Sequence, residues 1–213
     1  MHHLHDIPFI QCVVASLCRV TIRNGKYYVE QLYGTGFFIN NSGHLLTARH
    51  VIEKANTDIK RDGGFLAFFP KRNDGTGSLC LPIHKFEFAE HPFDIALCHT
   101  EFDSRTFYRL TQLDIGVWRE IAAIGYPMSV VNSTLETYEV HTRFHRGYIQ
   151  RIIKHNQLYT GDNPPAFEVN FPITQGLSGG PMFIYDKKHD FLITAGEFLE
   201  ACFVSSLRVS HVA

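Results

Sequence analysis

The chain has no long apolar run, no block of like charge and no paired-cysteine motif, and each absence excludes a class of function. Nothing approaches the roughly twenty consecutive apolar residues of a membrane-spanning helix. The apolar stretch from Pro8 to Val20 is interrupted by Gln11, Ser16 and Arg19 and has no basic region before it, so no secretory signal is expected. Lys and Arg number 20 against 21 Asp and Glu, a net charge of −1, and they are dispersed. Nucleic acid and membrane are therefore not expected as partners. The five cysteines, Cys12, Cys18, Cys80, Cys98 and Cys202, are odd in number and match no disulfide framework. They read as reduced core residues, which makes a reducing, cytoplasmic setting the expectation. There is no C-x-x-C pair and no H-E-x-x-H motif, and His2, His3 and His5 sit beside Asp6 at a terminus, where specific metal sites are rare. No metal or cofactor is expected.

What the chain has instead is a succession of short β-branched and aromatic runs separated by turn signals. Its 213 residues, 45% apolar and 19% charged, suit one globular unit able to bury a core. Val13 to Ile22 and Tyr27 to Tyr33 flank Asn24-Gly25 and read as a hairpin. Gly36 to Asn40 leads into a turn at Asn41-Ser42-Gly43, then a strand from His44 to Ala48. Arg49 to Ala55 is expected to make one helical turn or two. Further strands are expected at Phe65–Phe69, Leu81–Phe88, Ile95–His99, Glu120–Ile124 and Thr137–Ile153, the last with a bulge or bend at Gly147. Phe167–Phe171, Met182–Tyr185, Phe191–Gly196 and Cys202–Val209 complete the set. The pattern predicts an all-β fold of barrels or a sandwich, with the more polar Thr100–Gly116 segment joining two halves.

The strongest chemical signal is Gln175-Gly176-Leu177-Ser178-Gly179-Gly180-Pro181. A serine hydroxyl is a poor nucleophile until a base takes its proton, and attack on an amide builds an oxyanion that needs fixed donors. Glycine before the serine lets the backbone turn so that two N–H groups, those of Gly176 and Ser178, converge. A plain glycine-rich hairpin is the bland alternative. The same residues also fit G-x-S-x-G, the elbow of lipases and esterases. That fold places its acid and histidine after the serine. The segment from Gly179 to Ala213 holds His189 and His211 but no room for the remaining strands and helices.

Two further residues fit a triad. His50 follows the apolar strand Leu45-Leu46-Thr47-Ala48, where a rigid element meets an open edge. Asp94 opens Asp94-Ile95-Ala96-Leu97, and a carboxylate directly before a buried strand is costly unless partnered. A histidine Nδ1–H would accept that partnership and lock the tautomer. A surface histidine and a turn aspartate are the plain alternatives for each alone. Their joint presence, in the order His, Asp, Ser, favours the triad.

The blocks Gly34-Thr35-Gly36-Phe37, Leu46-Thr47-Ala48-Arg49-His50-Val51, Asp94-Ile95-Ala96-Leu97 and Gly176-Leu177-Ser178-Gly179-Gly180-Pro181 together resemble the chymotrypsin-like (trypsin-like) serine peptidase family. The resemblance implies two six-stranded antiparallel β-barrels, over about residues 8–110 and 111–213, with the active site in the cleft between them. It implies His50 and Asp94 from the first barrel, Ser178 from the second, and an oxyanion hole at Gly176 and Ser178. Leu177 stands where secreted digestive members carry an aspartate, and Arg49 and Val51 replace alanine and cysteine in the histidine block. These departures look closer to bacterial trypsin-like and HtrA-like domains, without zymogen activation, a following PDZ-like module or the usual C-terminal helix.

The function these residues favour is a serine endopeptidase acting on a protein or peptide substrate. A protease-like binding scaffold and a non-peptidase acyl hydrolase on the same barrels are the alternatives. Any regulatory partner is unnamed by the sequence. The resemblance places Pro172, Ile173 and Thr174 at the base of the specificity pocket and Ala195, Gly196 and Glu197 along its wall. A floor without an acid offers no counter-ion to Lys or Arg, whereas Glu197, reaching inward, would favour one. On the first count, small or apolar side chains are expected before the cut. A peptide library cleaved chiefly after Arg or Lys overturns this.

Overall fold

The computed structural model describes residues 7–195 except 73, 75, 105, 106, 109, 112–114, 129, 130, 134–137, 159–162 and 187–190. After helix α1 (Ile7–Val13), strands β1 (Val14–Arg23) and β2 (Lys26–Phe38) form the expected hairpin. Asn24 and Gly25 both have positive φ, 52° and 74°, the twist that matches a two-residue hairpin. Two register shifts let β2 run unbroken through the expected gap between Tyr33 and Gly36. Strands β3 (His44–Ala48), β4 (Phe65–Phe69), β5 (Leu81–Pro82), β6 (Lys85–Phe88) and β7 (Ile95–His99) complete a sheet ordered β5-β4-β1-β2-β3-β7-β6.

The second half contains β8 (Leu110–Thr111), β9 (Glu120–Gly125), β12 (Arg143–Ile153), β13 (Ala166–Val169), β14 (Met182–Asp186) and β15 (Phe191–Ala195), ordered β13-β12-β9-β14-β15-β8. A separate ribbon pairs β10 (Val131–Ser133) with β11 (Tyr138–Val140). All these pairings are antiparallel except that of β15 with β8.

The all-β fold in two units is the one expected, antiparallel but for the β15–β8 pair; the details differ where local sequence is ambiguous. Leu81–Phe88 is two strands on opposite edges of the first sheet, so that sheet has seven described strands. Thr137–Ile153 is broken between β11 and β12. Gly147 is not a bulge: β12 pairs with β9 in regular register through it. A Cβ there would collide with the Asn170 side chain and the Phe171 ring, so the glycine admits a neighbour rather than bending the strand. Cys202–Val209 lies outside the described residues.

Helix α2 spans Arg49–Asp62, twice the length expected. Its buried stripe is Val51, Ile52, Ala55 and Asp58, and the acid in that stripe conceals the periodicity. Asp58 is satisfied by the Tyr33 hydroxyl at 3.1 Å and by Arg61 at 3.0 Å. Burial and the neighbouring carboxylate push the Tyr33 phenol up to about 12. Gly63 ends the helix at φ 75°, its N–H donating to the Ile59 carbonyl, with Lys60 and Arg61 in the last turn.

The main core fills the first sheet and extends to Ile124, Tyr126 and Phe183 of the second half. A smaller core joins Ile115, Ile121, Ile149 and Met182. Cys12, Cys18 and Cys98 are buried, as expected of core cysteines, but Cys80, just before the two-residue edge strand β5, is only half-buried, and Cys202 lies outside the described residues. Phe38 is fully buried, packed edge-on against Phe68 at 5.0 Å and stacked with Phe102 at 6.0 Å. Replacing it by alanine removes both contacts and leaves a cavity. Phe38→Ala is expected to cost about 3–5 kcal/mol in a denaturant titration; a loss below about 1 kcal/mol would mean that this ring is not central to the core.

Candidate active site

Strand register brings Asp94 to His50. Strands β3 and β7 are antiparallel with Ala48 opposite Ile95, so the next pair outward is Arg49 with Asp94. The Arg49 N–H donates to the Asp94 carbonyl at 3.1 Å. The Asp94 side chain then reaches the first turn of α2, where helix N–H groups lack intrahelical partners. Its Oδ1 accepts from the His50 backbone N–H at 2.9 Å, and its Oδ2 lies 2.5 Å from His50 Nδ1. Ala48, at the N-cap position, supplies no side-chain cap, so Asp94 caps the helix from another strand. A carboxylate accepts and does not donate, so Nδ1 carries the proton and Nε2 is left as a base. The His50 side chain is 42% exposed and therefore reachable.

The serine turn is defined by the bonds its carbonyls make. Gly176 has φ 98°, and a Cβ there would meet Met128 N at 2.8 Å and Pro127 Cα at 3.0 Å. The Gln175 carbonyl accepts from the Met128 N–H at 2.8 Å, and the Leu177 carbonyl accepts from the Gly180 N–H at 2.9 Å. In a trans peptide the N–H points opposite to the C=O. The Gly176 and Ser178 N–H groups are thus turned away from Met128 and Gly180. Among the described residues, neither donates a hydrogen bond.

The serine turn is bonded to β2, and β2 in turn to β3, the strand that leads to the histidine. The Ser178 carbonyl accepts from the Thr35 N–H at 2.8 Å, and the Thr35 carbonyl accepts from the Thr47 hydroxyl at 2.7 Å. A Cβ on Gly179 would lie 2.8 Å from Ala48 N, and one on Gly34 would lie 2.7 Å from Val51 Cγ2 and 2.8 Å from the Ser178 carbonyl oxygen. Ala48 therefore lies beside Gly179, and Val51 and the Ser178 carbonyl both border Gly34, while among the described residues no hydrogen bond joins His50 to Ser178. Ser178 itself is buried, 4% exposed.

The residues expected at the specificity pocket are only partly described. Pro172 is exposed, and Ile173 and Thr174 are half-buried. The Thr174 carbonyl accepts from Leu177 N–H, while its buried hydroxyl has no partner. Ala195 ends β15, and Gly196 and Glu197 lie outside the described residues. Thr35 and Thr47 stand in the sequence only as members of motifs, and Tyr126 and Met128 are not marked as site residues, yet all four support the site. No chemical signal marks them, because each acts through a backbone group or a hydroxyl facing a distant segment.

Glycine at 179 is required by contact as well as by its φ of 83°. A Cβ would strike the Thr35 carbonyl, the Thr47 hydroxyl and Ala48 N, whereas a Cβ at Gly25, φ 74°, meets nothing within 4 Å. Strained backbone costs about 1–3 kcal/mol at either position. Gly179→Ala is expected to cost clearly more than Gly25→Ala in urea unfolding. Equal costs would show that the predicted collision is relieved at no expense.

Comparison with known proteins follows the same outline. Residues 34–189 match the family model described as a trypsin-like peptidase domain. The uncharacterised protein y4bJ of Sinorhizobium fredii (strain NBRC 101917 / NGR234) is 26% identical over 150 residues, 70% of this chain and 20% of its own length. The chain thus spans about a fifth of that relative. Among solved structures, Deg5 superposes with a TM-score of 0.59 at 19% identity, covering 83% of this chain and 76% of its own. The MamO protease domain of Magnetospirillum magneticum, in its apo form, gives 0.58 at 12% identity, covering 86% and 82%. At these identities both structures speak for a shared fold alone. The family match takes in His50, Asp94 and Ser178 together, and the chain belongs to the trypsin-like peptidase domain family.

Proposed function

We propose that the chain is a serine endopeptidase with Ser178 as nucleophile, His50 as general base and Asp94 as the residue that orients it. The observation that carries this reading is the double use of Asp94, which holds both the backbone and the ring of His50. A surface histidine near a turn aspartate has no need of both bonds. The close approach of Ala48, two residues before His50, to Gly179 of the serine turn supports it further.

In this mechanism His50 Nε2 takes the proton from Ser178 Oγ as Oγ bonds to the scissile carbonyl carbon. The carbonyl π pair moves onto oxygen, and the Gly176 and Ser178 N–H groups stabilise that oxyanion. On collapse the C–N bond breaks, and the His50 proton passes to the departing amine. Water, deprotonated by His50, then attacks the acyl-enzyme. The C–Oγ bond breaks, and Ser178 recovers its proton. Asp94 stays ionised throughout and stabilises the imidazolium. No step calls on a metal or cofactor. The reading includes a protein or peptide substrate, with Pro172, Ile173 and Thr174 at the pocket base, and a reducing, cytoplasmic setting consistent with the buried thiols. Burial pushes Cys18 and Cys98 up to about 12, so they are poor thiolates.

A fluorophosphonate probe bonds covalently to an activated serine. It is expected to label the protein, to fail on Ser178→Ala, and to react about 10⁴-fold more slowly with Asp94→Asn, whose amide donates to Nδ1 and so imposes the wrong tautomer. Persistent labelling of Ser178→Ala, or no labelling of the wild type, sinks the proposal; the second result favours a binding scaffold on the same fold.

A further inference from the structure

Thr35 makes four hydrogen bonds in a fully buried position, and three of them cross between the halves of the chain. Its N–H donates to the Ser178 carbonyl and its carbonyl accepts from Thr47, as described above. Its hydroxyl donates to the Gly176 carbonyl at 2.8 Å and accepts from the Tyr126 N–H at 2.9 Å. The direction of the hydroxyl proton follows from these partners. Tyr126 N–H can only donate, so it takes a lone pair of the oxygen, and the single proton goes to the Gly176 carbonyl. Room for rearrangement is small, since a Cβ on Gly125 would lie 2.9 Å from the same oxygen.

The consequence concerns both proposed oxyanion donors. Gly176 is held on one side through the Gln175 carbonyl, bonded to Met128, and on the other through its own carbonyl, bonded to the Thr35 hydroxyl. Ser178 is held through the Leu177 carbonyl, bonded to Gly180, and through its own carbonyl, bonded to the Thr35 N–H. One residue of the first half therefore grips the peptide following each donor. The backbone bond survives any substitution except proline. The hydroxyl bond does not, and without it the Gly176–Leu177 peptide keeps only the longer bond from Leu177 N–H to the Thr174 carbonyl, 3.1 Å, beside a glycine whose φ of 98° and lack of a side chain leave it many other conformations.

We infer that the Thr35 hydroxyl is a positioning group for turnover, holding Gly176 so that its N–H faces the reacting carbonyl; this rests on the serine-peptidase reading above. It touches neither substrate nor the reacting atoms. Its loss leaves the Gly176–Leu177 peptide held only through Leu177 N–H, free to rock about that bond, and the N–H preceding it loses its aim. Because an oxyanion forms only after binding, the effect falls on kcat and spares KM.

The experiment compares Thr35→Val, close in shape without the hydroxyl, with Thr35→Ser, which keeps it. Thr35→Val is expected to lower kcat on a peptide ester about 10²-fold, the order seen when one oxyanion donor is lost, with KM within about threefold and the shape of the pH–rate profile unchanged. Thr35→Ser is expected to recover kcat to within about fivefold of wild type. Amide hydrogen exchange of the peptide containing residues 175–180 provides a second readout, expected to quicken in Thr35→Val and return in Thr35→Ser. Turnover and exchange in Thr35→Val equal to wild type overturn the inference, as does a kcat loss that Thr35→Ser fails to restore. Should the wild type neither turn over nor label, the peptidase reading fails by itself, and the exchange arm still decides whether the hydroxyl holds the turn. A Thr35→Val protein that has lost its cooperative thermal transition, while Thr35→Ser keeps it, assigns the hydroxyl to folding rather than positioning and overturns the inference.

Discussion

The carboxylate of Asp94 does two tasks with two oxygens. One closes an open helix end by accepting from the His50 backbone N–H, and the other orients the His50 ring. The helix dipole and unpaired N–H groups at that end favour a negative charge there. The two tasks therefore stabilise the same ionised, inward-facing carboxylate. The strand pairing of β3 with β7 supplies the alignment, because the acid precedes β7 and the histidine follows β3. A slip of β7 by one residue in that register would turn the Asp94 side chain to the wrong face.

The remaining geometry depends on a short stretch of β2. Tyr33 holds helix α2 through Asp58, Gly34 lets Val51 and the Ser178 carbonyl approach, and Thr35 bonds the serine turn. Three consecutive residues thus contact the helix whose first turn holds the histidine or the turn that carries the serine. The inter-half packing of Tyr126 and Phe183 in the main core brings apolar burial to the same seam. The Tyr126 hydroxyl donates to the Val14 carbonyl at 3.1 Å, so the burial leaves that polar group satisfied. Such a seam resists small displacements, which a site assembled from two halves needs.

Much of the site was legible in the chain because its residue types are constrained chemically. Serine flanked by glycines, a histidine past an apolar strand and an aspartate before another each carry a local signature. The supports were not legible. Thr47 and Met128 are ordinary residues whose role is a single bond to a distant backbone group. Helix α2 was underestimated because Asp58 interrupts its apolar stripe, and only the fold supplies Tyr33 and Arg61 as its partners. Gly147 shows the same limit: a strand glycine signals either a bulge or a close approach, and the Asn170 and Phe171 side chains decide between them.

From its residues alone, this protein's all-β character, its runs and turns, and the chemical identity of its three candidate groups could be read, since alternation, turn residues and side-chain chemistry are local properties. Tertiary structure decided which of those groups meet. It selected the register that joins Asp94 to His50, the carbonyl partners that turn two N–H groups in one loop, and the place of Thr35 between the halves. These are long-range pairings, and a linear pattern does not encode which buried donor finds which acceptor until the chain has closed around them.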